Sequence, residues 1–347
     1  MVKQNARLLE LITDELLSSQ EDSGKLRSAA TELYSLFSSL TGIVNNSDHA
    51  DDLEESRLAS GKAIPPQNAA TCILDYGRTS KFLKATYAAI LEAQKRFPDT
   101  TIEILYAGCG PFAPLAIPLT SRFSSAEIQF TLIDVHKRSL DAAQHIFQSL
   151  GLTAFARDYV LCDAAAYQHN APQPIHIVLT ETMQAALEKE PQVAITLNLA
   201  PQICPGGIFI PERIAIDVCL TDLTKEFASV PVEAHGAEKG RRRTELGRIF
   251  ELTADSCRNL IIDYEDRHVI AARCPNSTID VPMDIGEQLN LMLLTTVSVF
   301  DSIVLGDYES GLTCPKVLHD LGKISGGARI EFSYCLGDKP GFKYRFL

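Results

Sequence analysis

The sequence predicts an α/β fold: a Rossmann-like parallel sheet, with helices before it and a mainly antiparallel, β-barrel-like region after it. Three observations predict this. Between residues 102 and 181, short apolar runs alternate with helical sequence, the rhythm of βαβ units. Those runs, IEILYAG, IQFTLIDV, ARDYVLCD and HIVLTE, are nearly unbroken in apolar residues, as expected of strands buried on both faces. After about residue 212, runs such as IAIDVCL, HVIAARC, LLTTVSVF and RIEFSYCL are β-rich and helical repeats become few.

Taken in order, residues 1–60 read as a helical extension. ARLLELITDELL and KLRSAATELYSLFSSLTGIV place apolar residues at helical spacing. NNSDHADDLEES is polar and turn-rich, so it reads as a linker or mobile loop. A helix is expected over CILDYGRTSKFLKATYAAILEAQKRF, stopped by Pro98. The four strands follow, with HKRSLDAAQHIFQSL as the helix after the second, and GGIFIPERIAIDVCL reads as one more strand pair. The expected division is 1–60, 61–212 and 213–347.

Bulk properties narrow the function. At 347 residues, 46% hydrophobic and 22% charged, the chain has a globular composition. The N-terminal stretch MVKQNARLLELITDELL carries acids inside its apolar run, unlike a signal peptide. No run of eighteen apolar residues occurs, so no membrane span is expected. Nine cysteines, an odd number with no CxxC pair, fit reduced thiols better than disulfides or a zinc site. A net charge of −12 argues against a nucleic-acid partner and is compatible with a cationic ligand.

YAGCGPFAP closes the first parallel strand. There Gly108 and Gly110 allow a tight turn and close approach of a ligand to the backbone, with Ala107 and Cys109 as its other members. Ligands bind beyond the carboxyl ends of such strands. Asp134 ends the second strand and can accept from two ribose hydroxyls; Asp163 ends the third and can accept from an adenine amino group. Together these point to a nucleoside cofactor. Each alone is also ordinary turn or cap chemistry, and the GxGxxA spacing to Ala113 is one a dinucleotide site tolerates.

ETMQAALEKE, after the fourth strand, has two readings. Glu181, Glu188 and Glu190 are either the solvated face of a charged helix or, at the strand's ligand-binding end, carboxylates aimed at a cation. His136, His176 and His319 are scattered; His136, beside Asp134, reads as a surface residue or as a neighbour of the adenosine, and GRRRTE at 240–245 as a solvated loop or a contact for an anionic group such as a substrate carboxylate.

These residues resemble the protein arginine methyltransferase family, within the class I S-adenosylmethionine-dependent methyltransferases. LDYGRTSKF resembles the segment before the family's first strand, with Asp75, Arg78 and Thr79 in register. YAGCG with Asp134 resembles the cofactor core, TETMQAALEKE the loop bearing two glutamates nine apart, and ICPGGIFIPERI the PGG strand segment. The resemblance covers about residues 70–215. It implies S-adenosyl-L-methionine as cofactor, held at Arg78, Ala107, Gly108, Cys109, Gly110, Asp134 and Asp163, with no metal. It implies Glu181 and Glu190 as the catalytic pair gripping a guanidinium, with Glu188 left to the surface. It also implies a homodimer, and the reduced-thiol cysteine pattern adds the expectation of a cytoplasmic location.

Four positions differ from the family pattern: Tyr106 stands for the acid before the glycines, Phe112 for the third glycine, Thr182 for the tryptophan after the first glutamate, and Leu294 for the barrel histidine. With no tryptophan in the chain and an N-terminal extension of its own, the expected substrate is free arginine or another small guanidino compound rather than an arginine-containing protein, and the N-terminal helices are expected to lie over it. A methyltransferase for another amine, hydroxyl or carbon acceptor, and a non-catalytic scaffold, remain as alternatives.

Overall fold

The computed structural model describes residues 2–18, 22–227, 243–265, 268–273, 277–285, 289–318 and 322–347. Helices α1 (Val2–Leu17) and α2 (Ser23–Thr41) open the chain. Asp22 caps α2 by accepting from the Gly24 and Lys25 amides, and Gly42, at φ +74°, ends it in the left-handed conformation that glycine adopts without penalty. Leu9, Ile12 and Leu16 on α1 and Leu26, Leu33 and Phe37 on α2 are buried.

The polar stretch read as a linker is docked instead. Helix α3 (Ala50–Leu53) carries Asp52, only 1% exposed, which accepts from Arg138 Nε and Ser47 Oγ, both at 2.7 Å. Composition suggested mobility; one buried ion pair with a distant arginine overrides it. Strands β1 (Ser56–Leu58) and β2 (Gly61–Ala63) form a small hairpin, followed by α4 (Pro66–Thr71). The helix expected over 72–97 divides at Asp75. Cys72–Leu74 is a 3-10 turn, and the Asp75 carboxylate caps α5 (Tyr76–Arg96) by accepting from the Arg78 amide. The same carboxylate accepts from Ser310 Oγ (2.7 Å) and the Gly311 amide (2.9 Å), tying the start of α5 to the C-terminal region.

The parallel sheet forms as expected. Strands β3 (Ile102–Ala107), β4 (Ile128–Asp134), β5 (Ala156–Leu161), β6 (Ile175–Thr180) and β7 (Ile203–Ile210) run parallel in the spatial order β5-β4-β3-β6-β7. Helices α6 (Lys137–Ser149) and α7 (Gln192–Leu199) are two of its crossovers. The chain leaves β3 first toward β4 and later returns on its other side at β6, so the strand order reverses at β3. The carboxyl ends there form the crevice in which such sheets bind ligands.

The segment read as a single strand pair is divided between sheets. Strand β7 closes the parallel sheet, whereas β8 (Arg213–Thr221) pairs antiparallel with β9 (Arg243–Leu252) and β13 (Leu289–Phe300). With β14 (Ile303–Leu305) the order is β14-β13-β8-β9, and β15 (Lys316–Val317) and β16 (Lys323–Ile324) also pair with β13. A second antiparallel sheet runs β10 (Ile261–Glu265), β11 (His268–Arg273), β17 (Arg329–Cys335), β12 (Thr278–Asp280), with β18 (Gly341–Phe346) also on β17. Among the described residues no helix is long and apolar enough to cross a membrane.

One apolar cluster joins α1 and α2 to one face of the parallel sheet and continues into both antiparallel sheets, through Leu9, Phe37, Phe82, Phe130, Leu291 and Phe332. A smaller cluster fills the other face, around Leu105, Ala107, Val178 and Phe209. Phe112, standing where the resemblance expects a glycine, is 1% exposed and meets Tyr34 and Phe37 of α2 edge-on, with ring centroids 6.0 and 5.7 Å apart. The replacement therefore has a packing role: it packs against α2. Phe112→Ala is expected to lower stability by about 3–5 kcal/mol, the range for a fully buried aromatic, measured by urea denaturation. A loss below about 1 kcal/mol would show that α2 is not anchored through this ring.

Candidate functional site

One cavity of about 640 Å³ opens at the carboxyl ends of β3, β4 and β6, within the range of small-molecule sites. It begins at the glycine turn. Gly108 and Gly110 have φ of +71° and +62°, and a Cβ at Gly108 would collide with the Thr182 methyl. The Gly110 amide donates to Asp134 Oδ2 (2.9 Å) and the His136 amide to Asp134 Oδ1 (2.8 Å). Two backbone donors thus fix a buried carboxylate on the cavity wall, and each oxygen keeps a lone pair for a ligand.

On the next strand, Asp163 accepts from the Ala165 amide and from Ser60 Oγ, both at 2.8 Å. Ser60 sits in the β1–β2 hairpin. The other end of that hairpin reaches the glutamate loop, where the Lys62 amide donates to Lys189 O (2.7 Å). The hairpin thus crosses the cavity wall from Asp163 to Lys189. Residues lining the cavity begin at Leu58, so the element over it is this hairpin, and the helices α1 and α2 expected there pack elsewhere.

ETMQAALEKE is not a helix. After β6 it forms a loop with one 3-10 turn, and Ala186, Leu187 and Lys189 all have positive φ, at 56°, 54° and 67°. Three non-glycine residues in that region are strained and persist only where surroundings hold them. The holders are visible: Thr295 Oγ1 accepts from the Ala186 amide (2.9 Å), Tyr334 Oη donates to Leu187 O (2.6 Å), and the Lys189 amide donates to Pro340 O (2.9 Å). All three come from the C-terminal region. Thr295 takes this part in the strand expected to carry the barrel histidine; Leu294 faces a small apolar cluster with Cys219, Met292 and Val317 instead.

The loop separates its glutamates. The Glu181 side chain is only 6% exposed and is ion-paired with Arg78, while its Oε1 is buried with no hydrogen-bond partner. Glu190 is 8% exposed and accepts from Gln184 Nε2 (2.9 Å). Burial pushes its carboxyl above the usual carboxylate range, opposed by the Gln184 hydrogen bond and by the charges of Arg78, Lys62 and Lys189. Arg78 therefore lies between the fields of both carboxylates. Glu188, expected at the surface, is half-buried, lines the cavity and pairs with Lys316. Thr182, in the tryptophan position, is held by buried Gln192, whose Oε1 accepts from the Thr182 amide (3.0 Å) and hydroxyl (3.1 Å).

Arg78, Gly108, Cys109, Gly110, Asp134, Asp163, Glu181 and Glu190 thus line a single cavity. Ala107 does not; its side chain belongs to the apolar cluster on the other face of the sheet. Tyr106 and Cys109 are buried, and burial pushes both phenol and thiol up, so both stay neutral. His136, read as a surface residue or a neighbour of the adenosine, is 7% exposed and on the cavity wall, with Nδ1 3.5 Å from Asp134 Oδ1 and Nε2 unpartnered. Ser139, one turn on, lines the same wall with a buried, unpartnered hydroxyl. Its i, i+3 spacing from His136 was the available signal.

His176 is buried far from this chemistry, its Nδ1 accepting from the Glu103 amide (3.0 Å). Gly240, Arg241 and Arg242 of GRRRTE, and His319, lie outside the described residues. Arg243 is held in an ion network with Glu226 and Asp307. Eight cysteines among the described residues are free thiols, and no group of described side chains is arranged to hold a metal.

No protein-family model and no curated relative matches the sequence. Among solved structures, the chain is similar to the Trypanosoma brucei PRMT1 enzyme–prozyme heterotetrameric complex with AdoHcy, at a TM-score of 0.51 and 12% identity over 79% of this chain and 91% of that one. At that identity the likeness establishes the fold, which is that of the protein arginine methyltransferases.

The Glu190 environment makes a prediction about stability. A carboxyl whose pKa is raised by folding stabilises the fold fully at low pH and loses that contribution as pH rises through its folded pKa. Glu190→Gln keeps an acceptor for Gln184 and removes the buried charge. The variant is expected to gain stability over the parent as pH rises from about 4 to about 8, read from thermal melts. A difference that stays flat across that range would place Glu190 in an unperturbed setting.

Proposed function

We propose that this protein is an S-adenosylmethionine-dependent N-methyltransferase acting on a guanidinium group, with free arginine or another small guanidino compound as its substrate. The observation that carries the reading is the pair of buried carboxylates, Glu181 and Glu190, on the wall of one cavity, with Glu181 already holding a guanidinium, that of Arg78.

The residues fit the cofactor. Arg78 would take its carboxylate, Asp134 its ribose hydroxyls and Asp163 its adenine amino group, while Gly108–Gly110 leaves the wall bare of side chains. The unpartnered His136 Nε2 and Ser139 Oγ support a polar ligand at that end, since buried polar groups are rarely left unsatisfied. Tyr106 offers a neutral hydrogen-bonding group where an acid is expected. When bound, S-adenosylmethionine supplies an electrophilic methyl on a sulfonium.

The chain's own part is orientation and charge. A guanidinium is a poor nucleophile because its charge is delocalised and its pKa exceeds about 12. Two carboxylates bind its planar fork, fix its direction and draw positive charge toward the nitrogens they hold. Glu181 Oε1, buried without a partner, is the open acceptor. Arg78 and the substrate compete for Glu181, so engagement of Arg78 elsewhere frees this carboxylate. Proton loss from the methylated nitrogen falls to Glu190, whose carboxyl burial pushes above the usual range and so makes a stronger base than an ordinary carboxylate.

The hairpin spanning Asp163 to Lys189 supports a small substrate, because it narrows the approach an extended peptide needs. The division at residues 60 and 212, a cytoplasmic location and assembly as a homodimer belong to the same proposal.

Isothermal titration with S-adenosylmethionine is expected to show saturable binding; none would favour a scaffold. Labelled cofactor offered with free arginine or an RGG peptide is expected to label arginine preferentially, and label in neither would point to another acceptor. Glu181→Gln and Glu190→Gln are each expected to lower turnover by about 10²–10³-fold, the scale for removing one preorganised charge contact. Turnover intact in both would end the clamp reading.

A further inference from the structure

We infer that Glu188 and Lys316 form a recognition site for the charged head group of a free α-amino acid, with Glu188 receiving the ammonium and Lys316 the carboxylate. This rests on the guanidine reading for the rest of the ligand, but it stands on a different observation. Glu188 and Lys316 carry opposite charges, line the cavity that holds Glu181 and Glu190, and face each other as an ion pair from separate parts of the chain.

The pair is built to be opened. The side chains are 26% and 39% exposed, and an ion pair so close to water contributes little to stability. Their backbones, in contrast, are fixed. Lys316 lies on β15, in register with Leu293 of β13. Glu188 follows the loop pinned by Tyr334, and its own carbonyl accepts from the Glu190 amide (2.8 Å). Two opposite charges at fixed positions with movable ends match a zwitterion. Inserted between them, its ammonium replaces Lys316 as partner of Glu188, and its carboxylate replaces Glu188 as partner of Lys316. Once the exchange is complete no charge is left unpaired.

Placement supports the same ligand. Glu188 is two residues from Glu190, so a guanidinium held at Glu190 would put the other end of a short aliphatic chain near the pair. An arginine inside a polypeptide has amides in place of both head-group charges and gains nothing from opening it. The pair therefore discriminates free arginine from protein arginine by charge.

The test is calorimetric, on the full-length protein saturated with S-adenosylhomocysteine, which permits binding without turnover. The probes are arginine, agmatine (no carboxylate), 5-guanidinopentanoate (no amine) and norvaline (no guanidinium). Arginine is expected to bind about tenfold or more tightly than agmatine or guanidinopentanoate, the scale of one charge-assisted hydrogen bond. Lys316→Met is expected to bring arginine to the affinity of agmatine, with agmatine not weakened. Glu188→Gln is expected to bring arginine to the affinity of guanidinopentanoate, with that compound not weakened. Lys316→Gln and thermal melts check that any loss is not one of folding.

Equal affinity for the three guanidines, or equal weakening of all three by both variants, overturns the site. Norvaline binding that is lost in both variants, with no advantage from a guanidinium, upholds the site and overturns the guanidine reading. No binding of any probe to protein that takes up S-adenosylhomocysteine overturns the head-group site.

Discussion

A carboxylate buried to 6% exposure cannot stand alone, and the ion pair with Arg78 compensates the Glu181 charge on the cavity wall. The two residues come from opposite sides of it: Glu181 follows the fourth strand of the sheet, and Arg78 lies in the first turn of α5. Asp75 caps that turn and reaches across to Ser310 and Gly311. The placement of one arginine thus depends on a helix cap, an antiparallel region and a strand end together.

The sheet was legible because its signals are local. Unbroken apolar runs and glycine turns report burial and backbone conformation within a few residues, and they placed β3 to β6, Gly108, Gly110, Asp134 and Asp163 at the correct strand ends. The spacing of Glu181 and Glu190 was legible for the same reason, together with their place after a strand. The conformation between them was not. Ala186, Leu187 and Lys189 are poor left-handed residues by propensity, and only Thr295, Tyr334 and Pro340, more than a hundred positions away, keep them there.

Three shortfalls share that cause. Asp52 looked solvated because its partner Arg138 lies 86 residues on. His136 was left between surface and ligand because sequence does not show which side of a helix start meets a cavity. Glu188 looked like surface because Lys316 arrives from a two-residue strand with no pattern of its own. Phe112 is the converse case. Read against a glycine motif it was a defect, yet its ring is one of the contacts that hold α2 against the rest of the fold. A departure from a motif marks lost function only when packing gives it no other purpose.

The loop holding Glu181 and Glu190 is suspended between regions, anchored on one side by Thr295, Tyr334 and Pro340 and on the other by the hairpin amide of Lys62. A chain cut near residue 212 would keep every strand of the nucleotide-type sheet and still lose the curvature that aims its two acids. Modularity in this molecule stops short of this loop: the half that carries the glutamates does not carry the instructions for their shape.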